Sequence, residues 1–262
     1  MSGNTLIIGH RGASREAPEN TLASFRLAFE QGADGIEADF RLTRDGEVVC
    51  LHDDSTARTA GADLRVEEAA LSELRRLDAG IWKGAVWAGE RIPTLKEVLR
   101  ALPSGKKLLI ELKSGPEILP PLEADLAGSG VAASQVRFLS FDAELIRTVK
   151  ERLPGYRACW LTDYRWRGAW HPSSREVLAA LLQSRADGVA SRDRAILDPP
   201  LVREIRERGL EIHVWTVDAV PAARRLCDLG VDSIMTNRPG WLRRALGEQL
   251  QPAAAVPDNG VR

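Results

Sequence analysis

Eight short strand-like runs separated by helical patterns restrict the fold of this chain more than any other feature. The runs fall near residues 5–9, 35–43, 107–113, 136–141, 156–162, 187–191, 211–217 and 232–236. Between most of them, apolar residues recur at helical spacing, over 21–31, 94–102, 143–152, 174–182, 200–208 and 221–229. Strands that alternate with helices require a parallel sheet, because parallel neighbours need a long crossover. Eight such units, with reactive side chains at strand C-termini, predict an α/β protein of the (β/α)8 TIM-barrel type. An open doubly wound sheet is the other arrangement for such a pattern, but no Gly-rich dinucleotide fingerprint follows the first run. A short additional strand over 48–51 is expected to return His52 to the barrel mouth. We read residues 1–248 as one domain, with 54–92 a polar insertion after the second strand and 249–262 a disordered tail.

The strand ends carry the chemistry. Leu6-Ile7-Ile8-Gly9 breaks at Gly9 into His10-Arg11, which sets a proton-transfer group beside a fixed positive charge and suits an anionic ester such as a phosphate. In the stretch 35–42, apolar and charged residues alternate at strand period, so Glu37 and Asp39 point to one face. The mostly apolar run 107–113 ends with Glu111 and Lys113 on a common face. Three gathered carboxylates without a cation are costly, so they either raise their pKa values or bind a metal. Their oxygen ligands suit Mg²⁺ or Ca²⁺ and disfavour a thiolate-type zinc site. His52-Asp53 adds a second histidine, with Asp53 either orienting it or beginning a turn.

Taken together, these pieces resemble the glycerophosphodiester phosphodiesterase family. The matching motifs are His10-Arg11-Gly12, Pro18-Glu19-Asn20-Thr21, Glu37-Ala38-Asp39, Thr43-Arg44-Asp45-Gly46, His52-Asp53, Glu111-Leu112-Lys113, Trp215-Thr216-Val217-Asp218 and Thr236-Asn237-Arg238-Pro239, in the family's order. The resemblance implies hydrolysis of a small glycerophosphodiester to glycerol 3-phosphate and an alcohol, with attack by the glycerol hydroxyl itself, through a cyclic phosphate, as an allowed route. Glu37, Asp39 and Glu111 would hold the divalent metal, Arg11 and Lys113 would contact the phosphate, and His10 and His52 would form the acid-base pair. Trp215 would close one wall of the substrate site, and the insertion would be a small subdomain. Two positions depart from the family's commoner pattern, which has Asn where Asp218 stands and Asp where Asn237 stands. Both are expected to lie away from the metal and acid-base set and to bear on substrate contacts. The alternatives are a lysophospholipase D-like or other phosphodiesterase on the same barrel, and a non-catalytic phosphodiester-binding barrel.

Composition narrows the class. A formal net charge of -1 over 262 residues gives no long-range attraction for nucleic acid or anionic lipid. No stretch is apolar for long enough to span a bilayer, and the start lacks the charged and apolar regions of a secretory signal. Cys50, Cys159 and Cys227 are widely separated, which is expected of buried free thiols in a reducing cytoplasm. His213 is expected to be a hydrogen-bonded core histidine, and His171 a solvated one. Trp82, Trp87, Trp166 and Trp170 fall in segments expected to overhang the mouth, where they could hold a cationic alcohol such as choline by cation-π attraction.

Overall fold

The computed structural model describes residues 5–247, so the tail 249–262 lies outside the described residues. Eleven strands occur in chain order: β1 (Leu6–His10), β2 (Gly35–Leu42), β3 (Val48–Cys50), β4 (Lys107–Leu112), β5 (Val136–Ser140), β6 (Arg157–Thr162), β7 (Arg165–Trp166), β8 (Trp170–His171), β9 (Gly188–Arg192), β10 (Glu211–Trp215) and β11 (Ser233–Thr236). Eight of these, all but β3, β7 and β8, pair in parallel and close into a barrel, with β1 bonded to both β2 and β11. This is the (β/α)8 barrel that the sequence predicts. β3 runs antiparallel to the end of β2, pairing Phe40 with Cys50, and so carries His52 back to the C-terminal face of the barrel.

The two-residue period of each strand decides what faces inward. Ile36, Ala38 and Phe40 of β2 belong to the large apolar layer between strands and helices, which turns Glu37, Asp39 and Arg41 to the barrel interior. In β4, Leu108, Ile110 and Leu112 face the helices, while Leu109 packs with Ile8, Leu139, Cys159, Leu161, Ala190 and Met235 inside the barrel. Glu111 therefore sits above Leu109 at the C-terminal end. Helix starts fix the register of the outer layer. Thr21 caps the helix Leu22–Glu30 and Thr94 forms a capping box with Glu97 on the helix Leu95–Ala101.

The segment after β3 is neither strand nor long helix. Short turns of helix, Ala57–Ala60, Val66–Glu68 and Leu71–Leu74 among them, gather around Val49, Leu51, Val66, Ala69, Leu74, Ala79 and Ile92. The stretch following β6 forms the hairpin β7–β8, where Trp166 and Trp170 meet edge to face at 5.3 Å between centroids. His171, at its end, is exposed.

At the opposite, N-terminal end of the barrel, His213 is buried and hydrogen-bonded, with Nδ1 2.8 Å from Ser233 Oγ and Nε2 3.2 Å from Glu211 Oε2. Arg137 grips Glu211 with two bonds of 3.0 Å. Cys159 lies close to Glu211 and His213, yet the Glu211 oxygens are already taken by His213 and Arg137. Burial alone would raise the Glu211 pKa, but the bonds from His213 and Arg137 outweigh it and hold the group at about 2. A depressed carboxylate pKa stabilises the fold above the unfolded value, and that contribution is lost as pH falls from about 4.5 toward 2. Glu211→Gln is therefore expected to lower stability at neutral pH by about 2 kcal/mol, allowing for screening. Urea titrations of both proteins should converge as pH drops through this window; a constant gap would exclude the ionic origin.

Candidate active site

The β1 turn supplies the first wall. Arg11, at a φ of 56°, donates its backbone N–H to Glu37 Oε2 at 3.0 Å. Gly12 follows at a φ of 81°, and a Cβ there would stand 2.6 Å from the carbonyl carbon of Ser24 and 2.7 Å from its oxygen. Both the positive φ and the approach of backbone, which cannot swing aside, require glycine. Gly12→Ala is expected to destabilise the protein by roughly 2 to 3 kcal/mol, read from the denaturant midpoint; an unchanged midpoint would show that the turn yields freely.

Glu37, Asp39 and Glu111 converge at the interior ends of β2 and β4, each able to place an oxygen within 4.8 Å of the others, and all three are buried. Asp39 is the most firmly held. Asn20, in the left-handed region at a φ of 58°, donates Nδ2 to Asp39 Oδ2 at 2.8 Å and accepts the Asp39 backbone N–H at 3.2 Å. Arg11 Nε lies 3.1 Å from Asp39 Oδ2 and Lys113 Nζ 3.2 Å from its Oδ1, with Glu111 also paired to Lys113. Burial would raise the pKa of Asp39, but Lys113 and Arg11 outweigh it and hold it at about 2. The other two go the opposite way: burial and the neighbouring Asp39 charge push Glu37 well up and Glu111 to about 7. Glu37 Oε1 is buried with no hydrogen-bond partner among the described residues. An orphaned oxygen amid three acidic side chains is the arrangement a hard cation satisfies.

The two histidines share a cavity with Glu37 and Glu111. It measures about 210 Å³ and is lined by His10, Arg11, Glu37, His52, Glu111 and Lys113 on one side, with Phe141, Arg192 and Trp215 on the other. His10 Nδ1 is 2.8 Å from Asn237 Oδ1, leaving Nε2 on the cavity side, 3.9 Å from Glu37 Oε2. His52 Nδ1 is 2.7 Å from Asp53 Oδ1, so Asp53 orients the ring. Arg41 fixes the His52 carbonyl through Nε and Nη2 at 3.1 and 2.9 Å. Arg58, bonded to Asp53, also reaches both oxygens of Glu19, which in turn pairs with Arg11 at 2.8 Å. Burial first, then the Arg11 charge, lower the His10 pKa to about 4, and burial also lowers that of His52. Both imidazoles are neutral near pH 7, each with one bare ring nitrogen.

Two sequence expectations need correction. Asn237 does not lie away from the acid-base set; it touches His10, and Asp218 holds Asn237 in turn. The closure of β1 against β11 brings these distant residues together. The cavity wall is likewise not built from Trp82, Trp87, Trp166 or Trp170. Its aromatic residues are Trp215 and Phe141, edge to face at 5.7 Å, with the Arg192 guanidinium 5.0 Å from the Trp215 ring centre.

A barrel with carboxylates, imidazoles and fixed cations around one pocket at its strand C-termini is built for an enzyme acting on an anionic ester. Comparison with known proteins gives the same answer. A model of the "Glycerophosphoryl diester phosphodiesterase family" matches residues 10–241. The glycerophosphodiester phosphodiesterase of Caldanaerobacter subterraneus is 36% identical over 91% of this chain and 96% of its own length, and that of Bacillus subtilis 31% identical over 89% and 84%. Among solved structures, an Oleispira antarctica phosphodiesterase in complex with the product sn-glycerol-3-phosphate superposes with a TM-score of 0.81 at 28% identity, covering 93% of this chain and 97% of that one. A glycerophosphodiester phosphodiesterase from Agrobacterium tumefaciens does so at 0.78 and 30%, covering 91% and 98%. This chain belongs to the glycerophosphoryl diester phosphodiesterase family and is a phosphoric diester hydrolase.

Proposed function

We propose that this protein hydrolyses glycerophosphodiesters to glycerol 3-phosphate and an alcohol, using His10 and His52 as its acid-base pair and a divalent cation held by Glu37, Asp39 and Glu111. The observation that carries this reading is a cavity lined by both neutral histidines and by Glu37 and Glu111, with Asp39 within ligand distance of those two carboxylates. Bound Mg²⁺ or Ca²⁺ would supply charge neutralisation at the phosphate oxygens. Arg11 and Lys113 bring further positive charge to that phosphate and are themselves anchored on Asp39. One imidazole nitrogen takes the proton of the attacking water or glycerol hydroxyl as its oxygen bonds to phosphorus, and the other histidine, once protonated, gives a proton to the departing alkoxide as the P–O bond breaks; where the glycerol hydroxyl attacks, water then opens the cyclic phosphate to glycerol 3-phosphate. Trp215 and Phe141 shape the far wall.

The assay that tests the proposal is release of glycerol 3-phosphate from several glycerophosphodiesters, with and without chelator; no release from any of them would overturn it. A second substrate class is favoured by one observation. Ile81, Trp82 and Val86 are exposed on the segment that Lys83 ties to the β1 loop, its Nζ 2.7 Å from the Ser14 carbonyl. An apolar rim there suits a lysophospholipid acyl chain, and a lysophospholipid included in the same assay separates the two.

A further inference from the structure

We propose that Asp218 is a positioning residue: acting through the Asn237 side chain, it dictates which ring nitrogen of His10 carries the proton. The argument is one of hydrogen-bond polarity. An ionised carboxylate only accepts. Asp218 Oδ2 accepts from Asn237 Nδ2 at 2.6 Å, while its Oδ1 accepts from Thr236 Oγ1 and from the Asn237 backbone N–H, both at 2.8 Å. The Asn237 amide cannot turn over without setting its own oxygen against that carboxylate. Its Oδ1 is thereby aimed at His10 Nδ1, 2.8 Å away, and at Ser14 Oγ, also 2.8 Å away. Ser14 Oγ lies 2.7 Å from the His10 carbonyl as well, so its single proton serves one of the two acceptors. An amide oxygen cannot donate, and His10 Nδ1 must therefore carry the hydrogen. In a neutral imidazole this leaves the Nε2 lone pair free on the cavity side. Three residues thus transmit one polarity from the loop after β10 to the reacting face of a side chain on β1.

The catalytic part of this inference rests on the role proposed above for His10; the tautomer does not. In Asp218→Asn, the new amide keeps Thr236 and the backbone N–H only by turning its own Nδ2 toward Asn237 Nδ2. Two donors then face each other. Turning the Asn237 amide over relieves them, but it presents a donor to His10 Nδ1 and shifts the ring proton to Nε2. The double variant Asp218→Asn/Asn237→Asp restores the polarity: a carboxylate at 237 accepts from His10 Nδ1 and from the amide behind it.

The test combines ¹⁵N NMR of the His10 ring, assigned by loss of its signals in His10→Ala, with steady-state kinetics, both in Mg²⁺. The expected result is an Nδ1–H tautomer in the wild type, an Nε2–H tautomer in Asp218→Asn with kcat about ten- to hundredfold lower and KM little changed, and recovery of both in the double variant to within about threefold. An Nε2–H tautomer in the wild type, or an unchanged tautomer and kcat in Asp218→Asn, would overturn the proposal. Should Asp218→Asn fail to fold, the double variant decides: if Asp218 merely ties the loop, exchange of the two residues impairs turnover without rescue. A wild type that releases no glycerol 3-phosphate removes the reading of His10 and with it the kinetic half, while the NMR result still judges the polarity.

Discussion

Stripping divalent cations from this protein is expected to abolish glycerophosphodiester turnover, and addition of Mg²⁺ or Ca²⁺ to restore it. The motive is electrostatic. Glu37, Asp39 and Glu111 are buried within ligand distance of one another, and the protein's own cations satisfy them unequally. Lys113 and Arg11 keep Asp39 ionised, whereas Glu37 and Glu111 are driven toward protonation. A hard cation would ionise both and engage the partnerless Glu37 oxygen. Glu111→Gln removes a ligand charge without removing volume, so the fold is expected to persist. Partners outside a ligand shell cost about 10- to 100-fold in affinity or activity when removed, and loss of a direct ligand is expected to cost at least that. Calorimetric titration with Mg²⁺ and Ca²⁺ measures the affinity, and circular dichroism checks the fold. Full turnover in chelator, after elemental analysis confirms removal of metal, would end the metal assignment.

The parts of this structure that depend on short-range pattern were readable in the sequence. Alternation in 35–42 put Glu37 and Asp39 on one side, and closure of the barrel turned that side inward. The eight runs named the eight barrel strands because strands buried on both faces are dense in apolar residues. The helix Leu119–Ala127 was harder to see: Pro120 and Pro121 interrupt its pattern, yet they occupy the first turn, where a missing N–H costs nothing. Side-chain partnerships across the barrel were not readable. Asn237 meets His10 only because β11 pairs with β1, and Arg58 of the insertion reaches Glu19 of the loop after β1, a contact between segments 39 residues apart that no periodicity announces. Thr236-Asn237-Arg238-Pro239 was visible as a motif, but not as a hydrogen bond to the first strand. Arg192 and Phe141 stand at or just beyond strand ends, where local sequence does not say which way a side chain turns. The four loop tryptophans do not line the cavity: Trp166 and Trp170 meet across the β7–β8 hairpin, and Trp82 stands exposed on the insertion, placements that depend on loop geometry and not on local pattern.

His10→Ala and His52→Ala are each expected to lower turnover by about two to four orders of magnitude, with metal affinity largely retained. Each ring has one nitrogen committed to a partner, Asn237 for His10 and Asp53 for His52, and each borders the same cavity. That arrangement leaves one nitrogen per ring for proton transfer. The two roles respond differently to the leaving group. Protonation of the departing oxygen matters most for an alkoxide and least for an aryl oxide, which leaves without help. The acid's alanine variant should therefore lose far more activity on a glycerophosphodiester than on an aryl phosphodiester. The base's variant should lose on both, because deprotonation of the nucleophile is needed whichever group departs. Comparing kcat/KM for the two substrate types across both variants thus assigns the roles as well as testing them. A variant that turned over an alkyl glycerophosphodiester at the wild-type rate would remove that histidine from the mechanism. His213→Ala serves as the contrast: its ring is bonded at the far end of the barrel, so its loss should appear in the denaturation midpoint and leave the leaving-group dependence unaltered.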